Sequence, residues 1–148
     1  EPLKFTGIPN FAPEHFRRVI LKNPLKMKQL AKGLIQMAEE GAVQVFRPVL
    51  GNDYILGAVG VLQFEVTMAR LKDEYGVEAI AEGINYNLAR WVGCDDPKRL
   101  KAFEAKCQGN LAFDAEGHLA FLADGQWRLK HTAELFPEIT FYKTREHN

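Results

Sequence analysis

Across residues 25–40 the apolar side chains Met27, Leu30, Ala31, Leu34, Met37 and Ala38 recur at intervals of three and four, with Lys28, Gln29, Lys32, Gln36, Glu39 and Glu40 opposite them. That period fits an α-helix with one buried face and does not fit a strand. The boundaries are legible too: Asn23 is a capping residue, Pro24 suits a first helical turn, and Gly41 suits a left-handed C-terminal cap. A β-rich run precedes the helix at residues 15–21. Two more predicted strands, 42–48 and 54–59, flank the turn residues Gly51, Asn52 and Asp53 as a hairpin. After Gly60 the spacing of Val61, Phe64, Met68, Leu71 and Tyr75 predicts a second helix closed by Gly76, and residues 77–82 predict a fourth strand. Strand, helix, strand, strand, helix, strand is the ferredoxin-like order, in which two helices cover one face of an antiparallel sheet.

The remainder repeats that order in weaker form. Residues 88–92 read as extended, Asp96-Pro97 opens a helix carrying Leu100, Phe103 and Cys107, and Gly109 stops it. Residues 111–114 and 118–123 flank the turn 115–117, residues 126–136 read as helical up to Pro137, and 139–142 as a last strand. The predicted fold is therefore α+β: a ferredoxin-like split βαββαβ first half over residues 1–85, with a second, similar α+β half over 86–148 packed on it. Residues 85–87 lack flexible-linker composition, which predicts one rigid unit. The halves share no residue-level similarity, and whether they share one sheet is open at this stage.

With 148 residues, 47% of them apolar, the chain can bury a proper core. It starts at Glu1 without a signal-peptide pattern and reads as a piece of a longer protein. No apolar run approaches the roughly 18 residues of a membrane span. Two cysteines, Cys94 and Cys107, with no C-x-x-C pair, point to a reducing, cytoplasmic setting and not to a disulfide framework or zinc site. The formal net charge is zero, so attraction to phosphate must come from local patches.

A search for chemistry assembles no catalytic set. Gly57-Ala-Val-Gly60 lies between a strand and a helix, as a phosphate loop would, but lacks a third glycine and the Gly-Lys-Ser/Thr of a nucleotide loop; it reads as a tight structural turn. His15, His118, His131 and His147 have no ligand spacing, and the sequence contains no serine to act as a nucleophile. Cys107 falls at a helical apolar position and reads as filler. Asp73, Glu74, Asp95 and Asp96 lie at helix ends, where capping and dipole effects account for them.

One charge feature resists a purely structural reading. Within residues 15–38 the charged residues are Arg17, Arg18, Lys22, Lys26, Lys28 and Lys32, with no acid among them. Cations at a helix start oppose the macrodipole, by a few tenths of a kcal/mol each, so intrinsic stability does not select them there. They suit RNA backbone or an acidic protein surface; the competing reading is an ordinary solvated face. The second helix also carries Leu62, Val66 and Ala69 opposite its main stripe. A helix covering one sheet needs one apolar face, so these are expected to pack on the second half, or else to dock another domain.

The segments Phe5-Thr-Gly-Ile-Pro-Asn-Phe-Ala-Pro-Glu14, Lys26-Met-Lys-Gln-Leu-Ala-Lys-Gly-Leu34, Glu39-Glu-Gly-Ala-Val-Gln-Val-Phe-Arg-Pro48, Gly57-Ala-Val-Gly-Val-Leu-Gln-Phe-Glu65 and Lys143-Thr-Arg-Glu-His147 closely resemble the carboxy-terminal domain of the bacterial class II peptide chain release factor, release factor three. More distantly, Gly60-Val-Leu-Gln-Phe-Glu-Val66 resembles the third, ferredoxin-like domain of elongation factor G. The release-factor family is a translational GTPase that promotes departure of class I release factors from the ribosome. The resemblance implies a ribosome-contacting fragment with rRNA, ribosomal protein and its own GTPase domain as partners. It also implies a monomeric, non-catalytic fragment without a cofactor, since GTP and Mg belong to a domain outside this sequence. Two other readings compete: a small hydrolase on the same fold, which needs an anion loop where Lys22-Asn23-Pro24 stands, and a free-standing RNA-binding domain, which needs exposed aromatics on the central strands.

Overall fold

The computed structural model describes residues 12–143. Among them run β1 (His15–Leu21), α1 (Met27–Glu39), β2 (Gln44–Pro48), β3 (Ile55–Ala58), α2 (Leu62–Tyr75) and β4 (Ala79–Gly83), then β5 (Leu88–Gly93), α3 (Pro97–Lys106), β6 (Leu111–Asp114), β7 (Leu119–Ala123), α4 (Gln126–Leu135) and β8 (Thr140–Tyr142). Every element expected from the sequence within this range is present. The start of α1 shifts by two residues because Pro24–Lys26 forms a separate 3-10 turn with Leu25 N donating to Asn23 Oδ1 at 3.0 Å. Gly41, Gly51, Gly76 and Gly117 all adopt positive φ, which gives the stops of α1 and α2 and two of the turns their backbone cause; Gly109 does not, and α3 ends at Lys106 ahead of a 3-10 turn at Gln108–Asn110.

The eight strands form one antiparallel sheet in the order β4-β1-β3-β2-β6-β7-β5-β8. β4-β1-β3-β2 is the ferredoxin-like order, and β6-β7-β5-β8 is the same order built from the equivalent strands of the second half. The halves meet through β2 and β6, with Phe46 opposite Asp114 and Pro48 opposite Ala112. A single unit would leave each of those strands as an open edge; pairing them removes both edges at once.

Three buried clusters fill the fold. Under α1 and α2 lie Val19, Leu30, Leu34, Met37, Leu56, Phe64 and Leu71. Met68 is partly buried against them, as its place on the α2 stripe predicts. Under α3 and α4 lie Leu88, Phe103, Phe121, Phe136 and Ile139, with Phe103 edge-on to Phe136 at 5.4 Å. The third cluster occupies the helix-free face and joins Phe16 and Ile55, from the first half, to Ala89, Trp91 and Leu122, from the second. In a flat sheet β1 and β5 would stand five strand spacings apart, roughly 24 Å. Phe16 nevertheless packs at 6.5 Å on Tyr86, just ahead of β5, and Phe46 lies 6.4 Å from Trp91, so the sheet curls until its two helix-free faces meet. The Trp91 indole donates to Asp114 Oδ2 at 3.1 Å, and Asp114 Oδ1 accepts from the Glu116 and His118 amides at 2.9 Å each, which fixes the β6–β7 turn to this inner core.

That closure corrects one expectation. Leu62, Val66 and Ala69 do not pack on the second half: Leu62 is 68% exposed, and Val66 and Ala69 are exposed as well. The sheet's own concave face joins the halves, so α2 has no second-half surface to cover.

Candidate functional site

Strand alternation separates the two arginines of β1. Arg17 points to the helix side, its guanidinium 5.0 Å from the centre of the Phe64 ring. Arg18 turns to the opposite face and is neutralised there, with Nη2 2.6 Å from Glu82 Oε1 and Nε 3.9 Å from Asp53 Oδ2. The Glu82 hydrogen bond and charge raise its pKa above the ordinary arginine value. Both arginines therefore have partners within the fold, on the opposite faces that alternation in a strand over residues 15–21 implies.

The lysines differ. Lys22, Lys28 and Lys32 are exposed and Lys26 is half-buried, and none of the four forms an ion pair among the described residues. Lys28 and Lys32, four apart, share one side of α1, where like charges repel slightly. The helix they start has no side-chain cap on its first-turn amides and no acid in that turn. Beside them the 3-10 turn holds Leu25 out at 87% exposure, with Met27 also exposed. The result is a knob of cations around an apolar tip, a composition suited to an anionic partner with some apolar surface.

The turn at residues 57–60 is structural. A Cβ on Gly57 would stand 2.6 Å from the Pro13 ring, and the Val59 and Gly60 amides both donate to Gln63 Oε1, at 3.0 and 2.9 Å. Gln63 Nε2 in turn donates to the Ala42 carbonyl at 2.8 Å. The amides that a phosphate loop would present are thus occupied by a carboxamide. Gln63 escaped the sequence reading because its partners lie in the loop and across the fold; its place three residues after Gly60 in a helix first turn was the available signal.

The remaining candidates have local explanations. Asp96 caps α3, accepting from the Lys98 and Arg99 amides. Cys107 is half-buried against the second-half core, and that burial raises its thiol pKa. His118 sits beside Asp114, His131 stacks on Trp127, and His147 lies outside the described residues. Among the described residues no three His, Cys, Asp or Glu side chains come together to hold a metal ion. The aromatic platform that an RNA-binding sheet of this topology would expose is closed, because Phe16 and Ile55 on the central strands belong to the inner core. Between residues 48–53 and 84–86 and the turn at 108–109 lies a cleft of about 390 Å³ with Ile55, Ile84 and Leu122 at its wall and Arg18 and Asp53 among its polar groups.

Two split βαββαβ units sharing one curled sheet define an α+β domain of the ferredoxin-like class. Over residues 5–133 the chain matches the family described as class II release factor RF3, C-terminal domain. The chain belongs to that family and is thereby a domain of a translation-termination factor. Among the described residues no helix is long and apolar enough to cross a membrane.

Proposed function

We propose that this domain is the ribosome-contacting, non-catalytic part of a cytoplasmic translational GTPase that promotes release of class I release factors, and that its contact runs through Lys22, Lys26, Lys28 and Lys32. The observation that carries this reading is the set of lysines without an ion pair among the described residues, gathered at a helix start with no acid in its first turn, in a chain of zero net charge. Arg17 keeps its charge over the Phe64 ring, whereas Arg18 is paired with Glu82 and offers less to a partner.

The exposed aliphatic face at the start of α2, Val59, Val61, Leu62 and Val66 with Ala69, is assigned to the protein's own GTPase domain, which would hold the GTP and Mg that this domain has no loop to bind. Glu14 N donates to Ala58 O at 3.1 Å, so the residue that precedes β1 lies beside the start of this face. The two halves, paired strand to strand through β2 and β6, act in this reading as one monomeric body that transmits the GTPase state.

The test is the triple substitution Lys26→Gln, Lys28→Gln and Lys32→Gln in the full-length protein carrying the domain. Ribosome affinity is expected to fall and its salt slope to flatten by up to about one unit per lost phosphate contact, with the fold and intrinsic GTPase activity retained. Unchanged affinity and slope in a ribosome titration would reduce the patch to a solvated face.

A further inference from the structure

The helix-free sheet face is closed, yet among the described residues a large aromatic side chain stands in the open on α4. The chain has two tryptophans. Trp91 is buried and hydrogen-bonded in the inner core, whereas Trp127, in the first turn of α4, is 71% exposed. Its indole lies parallel to the His131 imidazole one turn later, with an interplanar angle of 5° and centroids 5.0 Å apart. At that separation the rings are offset, so together they make a flat stepped surface with much of the indole face uncovered. With Lys130 and Glu134 they line a shallow cleft of about 230 Å³. Lys130 forms no ion pair among the described residues, while Arg128 is held by Asp124 at 3.0 Å.

We infer that Trp127 and His131 form a stacking platform for an unpaired nucleobase of ribosomal RNA, with Lys130 placed for the adjoining phosphate. A planar π surface beside a cation matches a ligand that is itself planar and carries a negative charge one bond system away, as a nucleotide does. Core packing does not account for the indole's position: α4 faces the interior through Leu129 and Thr132, and Trp127 lies outside all three buried clusters. An acidic protein partner would be served by the cation but would leave the paired rings unused, which favours RNA. The ribosomal source of the base rests on the function proposed above; the stacking chemistry does not.

The experiment has two arms. In the first, the chain is titrated with short oligoadenylate at low salt while tryptophan emission is followed. Quenching is expected for the parent and not for Trp127→Phe, which retains only the buried Trp91; no quenching of the parent at millimolar nucleotide overturns the platform. In the second, ribosomes bound by the full-length protein carrying this domain are probed with base-modifying reagents. A base protected by the parent and by Trp127→Phe, but reactive with Trp127→Ala, supports the inference, together with an affinity loss on the order of tenfold. Equal affinity and unchanged reactivity for Trp127→Ala overturn it, as does weaker binding without any change in base reactivity, which identifies a protein partner instead. If the parent quenches with oligoadenylate but does not bind ribosomes, the ribosomal reading falls and the platform stands.

Discussion

Replacing Asp114 by alanine tests how firmly the β6–β7 turn is tied to the inner core through Trp91. Asp114 is buried beside the β2–β6 seam, opposite Phe46, and accepts from the Trp91 indole and from two turn amides. Without it the indole N–H, inside a side chain only 1% exposed, loses its carboxylate acceptor, at a cost of about 1–3 kcal/mol for the stranded donor. The Glu116 and His118 amides lie at an exposed turn where water can replace the carboxylate, so they add about 1 kcal/mol between them. Removing a buried charge returns part of this, and the expected loss is about 1–3 kcal/mol. Urea unfolding followed through tryptophan emission measures it, with Asp124→Ala, which removes a surface partner of Arg128, as a control of small effect. A loss below about 1 kcal/mol for Asp114→Ala would show that the carboxylate does not anchor the turn to the inner core.

Two further outcomes follow from the first half. Phe64→Ala removes a ring that is fully buried under α2 and lies beneath the Arg17 guanidinium, and is expected to cost about 3–5 kcal/mol; a change below about 1 kcal/mol in denaturant unfolding would contradict the packing of that helix. Gln63→Ala frees the Val59 and Gly60 amides and the Ala42 carbonyl and is expected to cost about 1–2 kcal/mol, readable as a lowered Tm; an unchanged Tm would mean that the carboxamide cap contributes nothing.

The sequence by itself determined which elements form and in what order. The three-and-four spacing of Leu30, Leu34 and Met37, the Asp96-Pro97 start and the glycines at Gly41, Gly76 and Gly117 are local signals, because helix faces, caps and positive-φ turns are set by residues within one or two turns of each other. It also determined that cations crowd the start of α1. Strand alternation already implies that Arg17 and Arg18 face opposite ways, and the tertiary structure decided what each meets, Phe64 for one and Glu82 for the other. It alone decided the fate of the apolar residues outside the helix stripes, burying Phe16 and Trp91 against each other's half while leaving Leu62, Val66 and Trp127 in solvent. Period two shows that a strand has two faces, but which face is covered, and by what, depends on β2 finding β6 some 65 residues along the chain and on the curl that follows, and no local pattern encodes a pairing of that range.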